Sequence, residues 1–331
     1  MTGLRELAQG AKTIFIAGHL RPDGDCVGAA VASYRYLKKL YPDAAIHAYV
    51  EKVPEVFDFL DPDHTIFVQE LPKEPVDLFL VLDSSSKDRL GEAQAVFDTA
   101  KQTACVDHHV SNLGYAKDNF VKPGCSSACE VLYGLMEEEL IDEKIAEALY
   151  IGIIMDTGVF RYSSTTPKTM EIAGSLMEKG IPFWKYIDEC FYQRTYTQTQ
   201  LLGRTLLTSM RLMDGKVIVA TVTRRMLEFY GAQTEDIEGI IDQLRVTDGI
   251  ECAILLYEKE DGNYKVSMRS NDAVDVSAIA KIFGGGGHIK AAGCTVHGQP
   301  RDIVMNITHM VEHQLNEQEE KQESIYDKRN S

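Results

Sequence analysis

Two patterns alternate along the first two-thirds of the chain: short apolar, β-branched runs, then longer stretches with helical spacing. Residues 13–18 (TIFIAG) are the first such run and lead through a polar loop into a helical segment over 27–40. Residues 46–50 and 65–68 are further strand candidates. Residues 77–83 (DLFLVLD) are apolar almost without a break, the pattern of a strand buried on both faces. Residues 103–106 form another run, ending at Asp107. Helical patterns follow at 127–139, 143–155, 166–179 and 183–191. Strands alternating with helices predict an α/β domain whose mainly parallel sheet is flanked by helices.

The pattern changes near residue 192. Residues 195–213 mix polar residues with leucines, show no strand signal and predict a connecting helix. The order then restarts: strand 216–223, helix 234–246, strands 251–258 and 264–269, helix 274–283, four glycines at 284–287, and strand 293–296. A smaller second α/β domain follows from this. The expected division is a first domain over 1–192, a linker helix over 193–214, a second domain over 215–316, and a charged tail over 317–331 that frays. The 331 residues agree with two domains of about 150 each.

Charge narrows the partners. Lys and Arg number 34 against 50 Asp and Glu, a net charge of −16. That argues against wide binding to long duplex nucleic acid, which needs a basic surface. A short anion held by metal ions and a few local cations remains open. No apolar run approaches the roughly 18 residues of a membrane span, and the first residues lack an apolar leader. Seven scattered cysteines without a CxxC pair suit a reducing compartment. A cytoplasmic protein with no membrane contact is expected.

The chemistry concentrates in acids and histidines. His19, Asp23 and Asp25 lie in the loop after the first strand (GHLRPDGDCVGA). Asp83 ends the apolar run, Asp107, His108 and His109 end the next one, and Asp156 follows an apolar helical segment. Ligands of open parallel sheets bind outside the carboxyl ends of the strands, so these clusters can converge there. Asp83 alone would serve equally as a helix cap; Asp-His-His after an apolar strand is harder to explain structurally. Carboxylates with imidazole and no thiolate suit Mn²⁺ or Mg²⁺, and Zn²⁺ or Co²⁺ less well. The set is too large for one ion. Two ions need a bridging carboxylate, and such a pair hydrolyses phosphate esters or anhydrides.

These segments resemble a known family. HLRPDGD, VLDSSS, DHH and MDTG match, in order and spacing, the four motifs of the DHH phosphoesterases. RSN…VDVSAIAKIFGGGGHIKAAG resembles the DHHA1 domain that accompanies them. The resemblance covers nearly the whole chain, and length and layout are nearest the NrnA type, a nano-RNase and pAp phosphatase. One departure is Gly28-Ala29, where the first motif usually ends in Gly-Ser. The resemblance implies that His19 and Asp23 hold one divalent ion and Asp25, His108 and Asp156 the other. It implies that Asp83 bridges them, Asp107 orients a ligand from behind, and His109 faces the substrate phosphate. The cofactors would be two divalent ions, Mn²⁺ first, with Mg²⁺ or Co²⁺ as substitutes, and the nucleophile a metal-activated hydroxide.

In the second domain GGGGH lacks the Lys-Ser/Thr of a P-loop. Gly285, Gly286 and Gly287 can bring backbone N–H groups close to a phosphate, with His288 at the end of the loop. Arg269 and Ser270 end a predicted strand and would bind a terminal phosphate. The implied substrates are short RNA or DNA oligonucleotides cut to mononucleotides, and 3′-phosphoadenosine 5′-phosphate (pAp) cut to AMP. A cyclic-dinucleotide or pApA phosphodiesterase of the same family is the enzymatic rival; a silent nucleotide sensor is the other. Arg21 near the metals would add positive charge. Arg161, Tyr162, Thr165 and Thr166 line a substrate path or simply start a helix. Cys26, Cys125 and Cys129 read as packed thiols, Trp184 as core, and the apolar stretch 128–140 as a face for a homodimer.

Overall fold

The computed structural model describes residues 3–330, with side chains as far as Gln318. The chain folds as two compact units, Met1–Gln193 and Arg194–Ser331. The first holds five parallel strands: β1 (Thr13–Ala17), β2 (Ala45–Tyr49), β3 (Leu78–Leu82), β4 (Gln102–Asp107) and β5 (Asp118–Val121). Their order is β2-β1-β3-β4-β5. The chain turns outward in opposite directions from β1 and β3, which makes their carboxyl ends the switch point of the sheet. Every residue of β3 is buried, which explains its unbroken apolar run.

One face of this sheet packs Ile14, Ile16, Leu78, Leu80 and Leu82 under the helices Gly24–Leu40 and Glu143–Asp156. The other face packs Phe15, Phe79, Val81 and Phe97. The two covering helices cross closely. A Cβ on Gly28 would lie 2.4 Å from the Ala148 carbonyl oxygen, and one on Gly152 2.3 Å from the Cys129 sulfur and 2.6 Å from Asp25 Oδ1. Only glycine permits that approach.

Several sequence expectations change. Residues 65–68 form no strand; Phe67 makes a single bridge to Ala48. Asp118–Val121, with its polar start, is an edge strand that the apolar pattern does not reveal. The helix expected over 127–139 stops at Tyr133. Its Ala128, Cys129, Val131 and Leu132 are buried in the first core, while Tyr133, Met136 and Leu140 are half-buried. Trp184 is 61% exposed and is not core.

The second unit holds six strands: β6 (Met210–Leu212), β7 (Val217–Val222), β8 (Cys252–Glu258), β9 (Tyr264–Ser270), β10 (Gly286–His288) and β11 (Ala291–Val296). Their order is β10-β11-β9-β8-β7-β6; β7 and β8 run parallel and the other neighbours antiparallel. The stretch 193–214 is not one connecting helix. It is helical over Tyr196–Leu207, and Met210–Leu212 then pairs with β7. Leu201 is fully buried against Ile218 and Ala220, so this helix belongs to the second core. The glycine run is not a free loop, because Gly286–His288 pairs with Ala291–Gly293. Glycine carries no strand signal, which hides this edge strand in the sequence. The last helix runs over Pro300–Asn330 and takes in the charged segment expected to fray. Among the described residues no helix is long and apolar enough to cross a membrane.

Candidate metal centre

The switch point of the first sheet collects the acids and histidines. His19 follows β1, Asp83 follows β3, Asp107 ends β4, and His108 and His109 come directly after it. Asp25 sits in the first turn of Gly24–Leu40, and Asp156 ends Glu143–Asp156. The glycine contact between these two helices brings Asp25 and Asp156 to the same place. Among the described residues three donor groups result: His19, Asp23 and Asp83; Asp83, His108 and His109; and Asp25, His108 and Asp156. Within each group the donor atoms lie within 4.8 Å of one another.

Asp83 is the meeting point. It is 2% exposed and holds a left-handed backbone, φ 50°, a conformation that costs about 1–2 kcal/mol away from glycine. Its Oδ2 is 3.3 Å from His19 Nε2. Its Oδ1 is 3.6 Å from His108 Nε2 and 3.5 Å from His109 Nδ1, yet it is buried and has no hydrogen-bond partner. An orphaned buried carboxylate oxygen is costly unless something positive meets it. The donor set around it, carboxylates with imidazoles, fits a divalent cation.

The other groups are held by their own neighbours. Asp23 caps its helix through Oδ1, which accepts from the N–H groups of Asp25 and Cys26 at 3.1 Å each; Oδ2 is 3.8 Å from His19 Nε2. Asp25 is fully buried and accepts from the N–H groups of Ala128 at 2.6 Å and Cys129 at 2.9 Å. His108 Nε2 lies 3.0 Å from Asp156 Oδ2. Asp107 is saturated by the protein: Oδ1 accepts from the His108 N–H at 2.9 Å and from His109 Nδ1 at 2.7 Å, and Oδ2 accepts from Asn112 at 2.6 Å. It therefore orients the two histidines and leaves His109 Nε2 directed elsewhere. Asn112 and Arg89, whose Nη2 is 3.0 Å from His19 Nδ1, are parts of the site that sequence reading missed; neither sits in a periodic or clustered motif.

The electrostatics express an excess of negative charge. Burial pushes the Asp83 carboxyl up to about 6, and the charges of Asp23 and Asp156 reinforce this against His19. Burial also raises Asp25 well above the carboxylate range, with Asp83 and Asp156 adding to it. Burial opposes a charge on His19, but Asp23 and Asp83 outweigh it and lift the imidazole to about 10. Burial likewise opposes a charge on His108, and Asp156 and Asp25 lift it to about 9. The hydrogen bond to Asp107 raises His109. Burial would raise Asp107 itself, but bonds from His109 and Asn112 hold it below its ordinary value. Without a cation, the cluster collects protons in its place.

Comparison with known proteins decides the family. The model of the DHH family, N-terminal domain, matches residues 13–153, and that of the DHHA1 domain matches 214–317. A Thermus thermophilus protein named bifunctional oligoribonuclease and PAP phosphatase NrnA is 30% identical over 296 residues, 87% of this chain and 86% of its own length. The chain belongs to the DHH family. A Bacillus subtilis protein of the same name is 26% identical, covering 86% of this DHH protein and 90% of its relative. An exopolyphosphatase-related protein from Bacteroides fragilis shares the fold, with a TM-score of 0.82 over 93% of this chain and 94% of the other, at 21% identity.

The DHHA1 part of this DHH protein places its candidate residues unevenly. His288 is exposed on the edge strand β10, in register with Ala291, which is in register with Arg269. Directly opposed residues share a face, so His288 and Arg269 point to the same side with one small residue between them. Arg269 lies 3.5 Å from Asp242 and lines a cavity of about 360 Å³ with Lys265, Ser267 and Tyr257. Ser270, the next residue along β9, faces the other way. It is buried, and its hydroxyl donates to Glu251 at 3.1 Å. Arg269 and Ser270 are thus not brought together. Gly285 packs tightly, since a Cβ there would lie 2.2 Å from the Gly293 carbonyl oxygen; Gly286 and Gly287 are exposed. Arg21 is exposed. Thr166 caps the helix Pro167–Met177, the structural role among its alternatives. Cys26 and Cys129 are fully buried thiols, and Cys125 is half-buried.

Proposed function

We propose that this chain is a divalent-cation-dependent phosphoesterase that cuts 5′-phosphorylated oligonucleotides of a few nucleotides to mononucleotides and converts pAp to AMP. The observation that carries this reading is the buried, unpartnered Oδ1 of Asp83 at the meeting of three donor groups. The names of the Thermus and Bacillus relatives support the choice of substrate. In this reading His19 and Asp23 hold one cation, Asp25, His108 and Asp156 hold a second, and Asp83 is shared. Divalent cations bound there, Mn²⁺ being our first choice, neutralise phosphate charge and supply a nucleophilic hydroxide at neutral pH. Asp107 keeps a proton on His109 Nδ1 and leaves Nε2 to face the phosphate. In this reading Arg269 and His288, on one face of the second sheet, offer positive charge to a substrate phosphate. The net charge of −16 accords with a local pocket for a short anion and not with an extended nucleic-acid track.

The test is hydrolysis of pAp, a 5′-phosphorylated dinucleotide, a longer RNA and a cyclic dinucleotide, each with Mn²⁺, with Mg²⁺ and with EDTA. Fast cation-dependent turnover of the first two, with the long RNA slow, is the expected result. Preference for the cyclic dinucleotide would overturn the substrate assignment, and nucleotide binding without hydrolysis would replace the enzyme with a sensor.

A further inference from the structure

We propose that Tyr162 is the nucleobase platform of the candidate metal centre, its open face stacking the base of a nucleotide whose phosphate meets the donor groups. The assignment rests on the phosphoesterase reading above. Directly after the donor Asp156 and the buried Thr157, three successive residues hold the left-handed conformation: Gly158 at φ 54°, Val159 at 57° and Phe160 at 61°. Glycine does so freely. A β-branched residue almost never does, and left-handed residues normally occur singly and not in a run. Such strain persists only where the surrounding structure enforces it, and it concentrates at functional sites.

Thr157 enforces it here. Its hydroxyl donates to the Ile153 carbonyl at 2.6 Å and accepts from the Phe160 N–H at 3.0 Å. Its carbonyl accepts from the N–H groups of Arg161 at 2.9 Å and Tyr162 at 3.0 Å. The turn sends Phe160 inward, with 6.4 Å between its ring centroid and that of Tyr150, and returns Tyr162 over Gly158. A Cβ on Gly158 would lie 2.5, 2.7 and 2.9 Å from Cζ, Cε2 and Cε1 of Tyr162. Three ring atoms at nearly equal distance place the ring face down on the glycine. Tyr162 is still 53% exposed, so its opposite face is open. Core packing accounts for Phe160. It does not account for a ring fixed beside the donors with one face bare.

Position identifies what that face takes. Gly158 is two residues beyond Asp156, so their Cα atoms are at most about 7.6 Å apart. The Gly158 N–H donates to the Met155 carbonyl at 3.2 Å. Met155 in turn lies on Gly24, where a Cβ would be 2.3 Å from its Cγ, and Gly24 stands between the donors Asp23 and Asp25. Direct contacts thus tie the ring to residues of two donor groups. A phosphate drawn to cations held there carries its base one sugar away. Every base has a π-face, so stacking on an aromatic ring binds a base without reading its sequence. That suits an enzyme for short oligonucleotides of any composition.

The experiment uses the full-length protein loaded with Mn²⁺, comparing Tyr162→Leu and Tyr162→Trp with the parent. Tyr162→Leu keeps an apolar cover on Gly158 but has no π-face; Tyr162→Trp enlarges the π-face. Calorimetry measures the binding of AMP and of ribose 5-phosphate, which has the same phosphate and no base. Turnover of pAp gives KM and kcat. The parent should bind AMP more tightly than ribose 5-phosphate. Tyr162→Leu should lower AMP affinity about 10-fold or more, leave ribose 5-phosphate affinity unchanged, and raise KM for pAp more than it lowers kcat. Tyr162→Trp should bind AMP at least as tightly as the parent, and it carries the test if Tyr162→Leu does not fold. Equal affinity of the parent for the two ligands would overturn the proposal. So would unchanged AMP affinity in Tyr162→Leu, or a parallel loss of both ligands, which would make Tyr162 a support for Asp156. If the parent hydrolyses no substrate, the phosphoesterase reading fails, and the comparison of AMP with ribose 5-phosphate still decides the role of Tyr162.

Discussion

Asp83 carries three burdens that an ordinary aspartate does not: a left-handed backbone, near-complete burial and an unpaired oxygen. Each costs free energy in the metal-free chain, and a bound cation offsets the last two. We predict that Asp83→Asn abolishes cation-dependent turnover and lowers metal content while the fold persists; near-parental activity would remove the bridging assignment. Asp107 differs, because the protein already satisfies it. Asp107→Asn is expected to lower turnover about 10–100-fold with part of the metal retained, the usual cost of disturbing a ligand's support. Complete loss of metal would make Asp107 itself a ligand. These residues were legible because Asp-His-His and paired acids after apolar strands are rare in plain turns. Asn112 and Arg89 were not, since one polar residue in a loop announces nothing until its neighbours are known.

At the scale of elements, the site depends on two helices that glycine lets approach. Gly28→Val places a side chain against the Ala148 carbonyl and Gly152, and is expected to cost about 1–3 kcal/mol by overpacking. The same variant should lower metal affinity, because Asp25 and Asp156 ride on the separated helices. Thermal denaturation together with metal content checks both parts; a destabilised variant with unchanged metal affinity would detach the ligands from the helix crossing. The apolar pattern located β1, β3, β4 and the long helices, because burial on a parallel sheet leaves an unbroken signature. It missed Asp118–Val121 and Gly286–His288, which are edge strands built on polar residues and glycine. It also placed Trp184 inside, although that ring is exposed.

For the whole molecule, charge sets the behaviour. The folded, metal-free protein holds His19 and His108 above their ordinary value, at about 10 and about 9. The stability they contribute is present below about pH 6.5 and is lost as pH rises through 9 to 10. Asp83, raised to about 6, acts in the same direction at lower pH, since its charged form is disfavoured in the folded state. EDTA-treated protein should therefore melt at a lower temperature near pH 10 than near pH 6. Added Mn²⁺ should oppose that loss, because metal displaces the protons; a flat EDTA profile would count against the charge excess. The second unit gives a separate prediction. His288→Ala and Arg269→Ala should weaken turnover of the dinucleotide about 10-fold or more with metal content unchanged, as expected of charge-assisted contacts to phosphate. Loss of metal in either would place these residues in the centre itself.

Local spacing alone was enough to mark which strand ends bear acids and histidines, because strand period and apolar runs are short-range properties of the chain. Their convergence was not local. It came from parallel register, which aligns the carboxyl ends of β1, β3 and β4, and from the glycine contact that adds Asp25 and Asp156. The same long-range packing committed Ser270 to Glu251, spent the apolar stretch from Ala128 on the core, and set Arg89 against His19. Those outcomes depend on which surfaces meet, and the meeting partners lie tens to more than a hundred residues apart.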